Sequence, residues 1–123
     1  EDIHIDAMEI KEASLVGHSQ GCLVTMECAS KYPGKVRGNH YHTRKVEWFC
    51  VPTGTGKILL KDRETGETQE FVMGVDNLKT IKIEPGTIHA IKNIGEEDMV
   101  LLVYSNEKFD PEDPDTYYEN ILE

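Results

Sequence analysis

At 123 residues the chain has room for one domain around one core, and not for a second catalytic domain. Its formal charge of -10, from 23 acidic against 13 basic side chains and with no Lys/Arg stripe, excludes a phosphate-backbone footprint, so no nucleic-acid partner is expected. No apolar run approaches the roughly 18 residues that span a bilayer, and the N-terminus lacks the basic and apolar regions of a signal peptide; a soluble, cytoplasmic protein without membrane contact is expected.

In chain order, the first motif met is Gly17-His18-Ser19-Gln20-Gly21, which matches the Gly-x-Ser-x-Gly nucleophile elbow. The stretch Leu23 to Ala29 even reads like the helix after one. An elbow, however, lifts its serine above a parallel sheet of several βαβ units, for which this chain lacks room. Gln20-Gly21-Cys22-Leu23 is read instead as a turn and the first strand. Strand-favouring segments then run Cys22 to Cys28, Val36 to His42, Glu47 to Val51, Lys57 to Lys61, Thr68 to Val72, Leu78 to Ile83, His89 to Lys92 and Met99 to Ser105. Pro33-Gly34, Pro52 with Gly54 and Gly56, Thr65-Gly66, Pro85-Gly86 and Gly95 punctuate them at the spacing of an antiparallel barrel or sandwich. Gly54-Thr55-Gly56-Lys57 hints at a phosphate loop but lacks the first Gly and a following helix, and is read as a hairpin. Cys22, Cys28 and Cys50 are read as reduced core thiols.

Beyond Ser105 or Asn106 the chain turns acidic and proline-rich, so the last long strand ends there. Tyr117 and Tyr118 suggest a tail draped over the barrel, since a purely solvated tail seldom carries adjacent aromatics. Residues 1–123 are thus taken as one domain, with a barrel core at about 21–106 and a C-terminal segment at 107–123.

The chemistry-bearing pattern is His40-Tyr41-His42, Glu47 and His89. Residues two apart on a strand share a face, so His40 and His42 aim two imidazoles at one point while Tyr41 turns away to pack. Glu47, an odd number of positions on, joins that face only if a break intervenes, and Thr43-Arg44-Lys45 supplies one. The Pro85-Gly86 turn delivers His89 from a distant strand. Three imidazoles and a carboxylate suit one divalent transition metal.

Joined to the β pattern, these residues resemble the two motifs of the cupin superfamily: Gly38, His40, His42, Glu47 and Gly54 answer the first, and Pro85, Gly86, His89 and Asn93 the second. The resemblance implies an all-β fold with little helix, a small antiparallel double-stranded β-helix barrel (jelly roll), often a homodimer. It also implies a mouth that holds one divalent ion, zinc first and Mn, Fe or Ni as alternatives. Val36-Arg37-Gly38-Asn39-His40-Tyr41-His42 looks like the Arg-Gly-x-His stretch of the sugar-nucleotide branch, which includes dTDP-4-dehydrorhamnose 3,5-epimerase and the dTDP-sugar 3,4-ketoisomerases. Asn106 to Pro111 and Pro114 to Tyr117 are similar to the C-terminal cupin domain of bifunctional capsular-polysaccharide reductase/epimerases. What this implies is an isomerase that inverts or moves a hydrogen beside the ketone of a nucleotide-linked 4-keto-6-deoxy sugar in surface polysaccharide biosynthesis. In the rhamnose epimerases the position of His40 belongs to a metal-free catalytic base, whereas here a ligand set surrounds it.

Such a reaction needs a base, a stabiliser for the enolate oxygen and an acid. The candidates are His40 as base, Tyr104 as proton donor, Lys61 as base or enolate stabiliser, and Arg37 as clamp for a nucleotide phosphate. Two other readings use the same pocket: a non-catalytic sugar- or metal-binding cupin, and a metal-dependent dioxygenase or small-acid isomerase.

Overall fold

The computed structural model of the chain describes residues 12–19, 22–107 and 110–123, and for residues 12–30 the backbone alone. Its elements are β1 (Glu12–Ser19), β2 (Cys22–Lys31), β3 (Val36–Tyr41), β4 (Glu47–Thr53), β5 (Thr55–Asp62), β6 (Thr68–Gly74), β7 (Thr80–Ile83), β8 (Thr87–Asn93), β9 (Met99–Ser105) and β10 (Tyr117–Tyr118). They form two five-stranded antiparallel sheets, ordered β1-β2-β9-β4-β7 and β10-β3-β8-β5-β6, packed face to face as the jelly roll of a cupin. No helix among the described residues is long and apolar enough to cross a membrane.

The alternation read from the sequence is what builds the core. On β5, Gly56, Ile58 and Leu60 point inward and are buried while their neighbours are half-buried. Phe49 and Val51 from β4, Ile91 from β8, and Leu101 and Val103 from β9 meet them from the other strands. Burying one such aliphatic side chain contributes about 1.5–3 kcal/mol. At the far end of the barrel Asn93 is 1 % exposed and donates Nδ2 hydrogens to the carbonyls of Lys31 and Glu97, while its Oδ1 accepts from Gly95 N. This motif residue ties loops together and takes no part in the histidine cluster.

Four features differ from the sequence reading. A strand, β1, precedes the one expected to be first, and pairs with β2 from Glu12↔Ala29 to Ser19↔Cys22. Glu-Ala-Ser-Leu-Val-Gly-His-Ser carries a weak alternation, and pairing with β2 supplies the order that local propensity does not. Gly17 to Ser19 therefore lie in a strand and Leu23 to Ala29 in another, which removes the elbow; Gln20 and Gly21 lie outside the described residues.

Gly54 is no hairpin turn, since β4 pairs with β7 and β9 and β5 pairs with β6 and β8. It is the corner where the chain leaves one sheet for the other. Its φ is +88°, and a Cβ there would stand 2.7 Å from Met99 Cα. Cys50 is a free, half-buried thiol between the buried Phe49 and Val51, so it turns to the outer face instead of the inner core; the side chains of Cys22 and Cys28 lie outside the described residues. Finally, the strand expected from Leu78 begins only at Thr80, and Leu78 is exposed.

The tail is draped, as the tyrosine pair suggested. Tyr117 and Tyr118 pair with Tyr41 and His40 as the short strand β10. Asn39 anchors the last residues of the chain: its Nδ2 donates to Leu122 O, its Oδ1 accepts from Ile121 N and Leu122 N, and its carbonyl accepts from Glu119 N.

Candidate metal centre

The C-terminal ends of β3, β5, β7 and β9 and the N-terminal ends of β4 and β8 gather at one mouth of the barrel, and the four expected ligands stand there. On β3 a bulge at Gly38 and Asn39 shifts the register, so that Gly38 lies opposite Ala90 and His40 opposite His89. Gly38 (φ +104°) and Asn39 (φ +59°) both take left-handed backbone conformations, which Gly and Asn tolerate best. Pro85-Gly86 forms the turn expected before His89, with Gly86 at φ +82° and Thr87 N donating to Glu84 O, the pattern of a type II turn. Gly86 N also donates to His42 O at 2.7 Å, joining the two motifs. Between His42 and Glu47 the strand breaks at Thr43-Arg44-Lys45, and the parity change brings Glu47 onto the histidines' side.

One ligand atom from each of His40, His42, Glu47 and His89 lies within 4.8 Å of all the others. Donors bound to one transition ion at about 2.0–2.2 Å stand at most about 4.4 Å apart, so the cluster needs at most a small contraction to close on a cation. Hydrogen bonding fixes which nitrogens face inward. His42 Nδ1 lies 2.6 Å from the carbonyl of Asp115, an acceptor only, so it carries the hydrogen, and Nε2 faces Glu47 Oε1 at 2.9 Å. His89 Nδ1 donates to Thr87 O at 3.1 Å, leaving a bare Nε2. That Nε2 is buried and forms no hydrogen bond, although Glu47 Oε1 is 3.2 Å away. A buried orphan lone pair is costly unless something electrophilic sits against it.

The protonation states agree. Burial, helped by the nearby His89 and His42, lowers the pKa of His40 to about 3, so its ring is neutral. Burial acts the same way on His42, but its hydrogen bond and attraction to Glu47 prevail and raise its pKa. Burial would raise Glu47, yet the hydrogen bond from His42 holds it well below the carboxylate range. In the metal-free protein a proton on His42 therefore bridges to Glu47, where a cation would take its place. The residues fit a divalent metal held by three imidazoles and one carboxylate.

The other expected site residues divide. Arg37 lies opposite Ile91, on the inner face with His40, and its charge reaches that ring. Tyr104 lies opposite Trp48, the neighbour of Glu47, and is 39 % exposed, so it faces away from the cluster on the outside of its sheet. Lys61 lies opposite Ile88, one position from the His89–Leu60 pair, and also faces outward. The structure does not bring either to the histidines. Tyr41 packs as expected, stacked on Tyr117 at 5.3 Å with the Arg63 guanidinium 4.1 Å over its ring.

Two residues join the site that sequence reasoning did not single out. Tyr118, 81 % exposed, pairs with His40 and shares its face, with ring centroids 5.8 Å apart. Asp115 carries the carbonyl that orients His42. Only for the tyrosine was there a local signal, its aromatic neighbour in an acidic tail. A groove of about 430 Å³ is lined by Leu60, the register partner of His89, by Thr87, and by Asp62, Glu67, Thr68, Gln69, Lys82 and Glu84; none of the four clustered residues lines it. Lys82 is paired with Glu84 at 3.0 Å, leaving the groove acidic and rich in hydrogen-bonding groups.

A family model described as the polysaccharide biosynthesis C-terminal domain matches residues 14–117. Over 86 residues the chain is 38% identical to the UDP-2-acetamido-2,6-beta-L-arabino-hexul-4-ose reductase of Pseudomonas aeruginosa, covering 70% of this chain and 23% of that protein. It is 28% identical over 92 residues to the spore coat polysaccharide biosynthesis protein SpsL of Bacillus subtilis, covering 71% and 61%. Among solved structures, the capsular polysaccharide assembling protein CapF from Staphylococcus aureus superposes with a TM-score of 0.75 at 31% identity, over 89% of this chain and 35% of that one. The chain spans less than two thirds of each of these relatives.

Proposed function

The chain belongs to the polysaccharide biosynthesis C-terminal domain family, and on that premise we propose that it is a metal-centred isomerase of a nucleotide-linked 4-keto-6-deoxy sugar, inverting or moving a hydrogen on a carbon next to the ketone. The observation that carries this reading is the convergence of His40, His42, Glu47 and His89; Leu60, the register partner of His89, and Thr87, whose carbonyl accepts from the His89 ring, also line a groove of about 430 Å³. That size falls within the range of small-molecule sites. A divalent ion there, zinc by preference, would act as a Lewis acid toward a ketone oxygen.

The chain's own groups then divide the remaining work. The groove's carboxylates accept hydroxyl hydrogens and repel phosphate, so the sugar is the part that suits it. Arg37, on the inner face, is the clamp for the nucleotide phosphate. His40 keeps a neutral ring, which can ligate or accept a proton; a ligated ring cannot also be an unrestrained base. The acid role expected of Tyr104 falls in this proposal to Tyr118, whose hydroxyl-bearing ring shares the face of His40. Lys61, on the outer face, is left without a role.

Incubation of dTDP- and UDP-4-keto-6-deoxyhexoses with the protein in deuterated water, followed by mass spectrometry, tests the reading. Wild type should introduce deuterium, and His40→Ala and Tyr118→Phe should slow exchange by roughly a hundredfold. Tight binding without any deuterium uptake would replace the enzyme by a non-catalytic sugar-binding module.

A homodimer is proposed as well. Among the described residues β1 is hydrogen-bonded to β2 alone and leaves a ladder edge open, the kind of edge that small β-proteins pair or cover. Light scattering at micromolar concentration should give the mass of two chains; that of one chain would count against it.

A further inference from the structure

We propose that Asp115 is a positioning residue for the metal centre: its carboxylate grips the loop between β3 and β4 so that its own carbonyl fixes the His42 ring. The inference rests on the metal-centre reading and extends it to the C-terminal segment. Asp115 lies about seventy residues beyond the loop it holds, yet it is only 3 % exposed. One carboxylate oxygen accepts from Thr43 N at 2.9 Å and from the Thr43 hydroxyl; the other accepts from Arg44 N at 2.9 Å and Lys45 N at 3.1 Å. The same residue's carbonyl accepts from His42 Nδ1 at 2.6 Å.

These contacts complete the loop's hydrogen bonding. Residues 42–46 belong to no strand, so three successive N–H groups would lack a ladder partner, and Asp115 satisfies all three with one side chain. Its φ of +48° lets the carboxylate and the carbonyl reach the loop together, a conformation that Asp adopts more readily than most residues. The three N–H bonds, together with the Thr43 hydroxyl, also hold the carboxylate well below its ordinary range, against a burial that would raise it. The consequence for His42 is chemical. Accepting from Nδ1 forces the hydrogen onto that nitrogen, which turns the Nε2 lone pair toward Glu47 and the other ligands and sets the plane of the ring. The segment that carries Asp115 has its own tether: the Arg44 guanidinium bonds Glu107 at 2.7 Å and Asp113 at 2.9 Å. That tether touches neither the Asp115 carboxylate nor His42, so it can be cut separately.

The test uses the full chain as wild type, Asp115→Ala, Asp115→Asn and Arg44→Ala. Zinc affinity is measured by competition with a chromophoric chelator, ligand geometry by the visible spectrum of the cobalt-loaded proteins, and apoprotein stability by thermal melting. Asp115→Ala should weaken zinc by 10- to 100-fold and change the cobalt spectrum. Asp115→Asn, which tolerates the backbone and keeps one acceptor oxygen, should lose about tenfold. Arg44→Ala should stay within about twofold of wild type, as expected for exposed ion pairs. If Asp115→Ala holds zinc and cobalt as wild type does, whatever its melting temperature, Asp115 is only a loop cap and the proposal is overturned. Should Asp115→Ala fail to fold, Asp115→Asn decides by the same criterion. An equal loss in Arg44→Ala would show that general tethering, and not this carboxylate, sets the centre, and would overturn it too. A wild type that takes up neither ion defeats the metal-centre reading itself, an outcome distinct from the others.

Discussion

A Glu47→Gln protein is expected to hold a divalent ion more than a hundredfold more weakly than wild type, beyond the ten- to hundredfold typical of a group placed behind a ligand. Glutamine keeps the shape but removes the one negative charge among the four ligands, and Oε1 stands 2.9 Å from His42 Nε2 and 3.2 Å from His89 Nε2. His89→Ala should be as severe, because it deletes a fully buried nitrogen whose only use in the structure is to face the other ligands.

The metal-free protein carries a second signature of the same pair. The folded pKa of His42 is raised above its ordinary 6.5, so its contribution to stability is complete below that value and is lost as pH rises through the folded pKa. Glu47 is depressed below 4.5, so its contribution is present above that value and is lost as pH falls. The pair therefore favours the apoprotein most between about 4.5 and 6.5. Zinc, which needs His42 deprotonated, should bind more tightly as pH rises across the same range. Melting of metal-free and zinc-loaded samples at pH 5.5 and 8 checks both trends. An apoprotein of Glu47→Gln that kept the wild-type pH dependence would show that the His42–Glu47 pair is not its origin.

Gly38→Ala is the second large effect expected. Gly38 sits at φ +104°, and a Cβ there would stand 2.6 Å from His89 O and 3.1 Å from Ala90 Cα, both backbone atoms that cannot rotate away. Left-handed strain and overpacking together should cost about 3 kcal/mol, or a fall in melting temperature of about 10 °C. Because the clash is with the carbonyl of a ligand, the shift would also separate His40 from His89 and weaken the metal. Gly34→Ala is the matched control, with φ +80° but no atom within 4 Å of the added carbon, and should cost about 1–2 kcal/mol. Equal losses in the two variants, measured by chemical denaturation, would show that backbone strain alone, and not the approach of β8, requires the glycine.

Much of the barrel could be read locally because period-2 alternation and turn residues act over a few positions. Ile58 and Leu60 are buried where the pattern puts them, and Pro85-Gly86 makes the turn its composition demands. What escaped was non-local. β1 has too weak an alternation to announce itself, and only its pairing with β2 orders it. Gly54 reads as a hairpin because a glycine that turns back along its own sheet and one that crosses to the other carry the same composition. Tyr104 and Lys61 are candidates by residue type and strand position, but facing is fixed by register with Trp48 and Ile88, which one strand read alone does not reveal.

The sequence by itself singled out the four residues that could hold a metal, since His40 and His42 share a face by strand period and the break at Thr43-Arg44-Lys45 reverses the parity for Glu47. It also determined that His89 arrives from a second motif after a turn. Only the tertiary structure decided how these side chains are held. The bulge at Gly38 and Asn39 sets His40 against His89, the carbonyl of Thr87 bares His89 Nε2, and Asp115 returns from the end of the chain to orient His42. The physical reason is reach. A strand's own period fixes directions over two or three residues, whereas a hydrogen bond between residues 73 apart exists only once both sheets have closed.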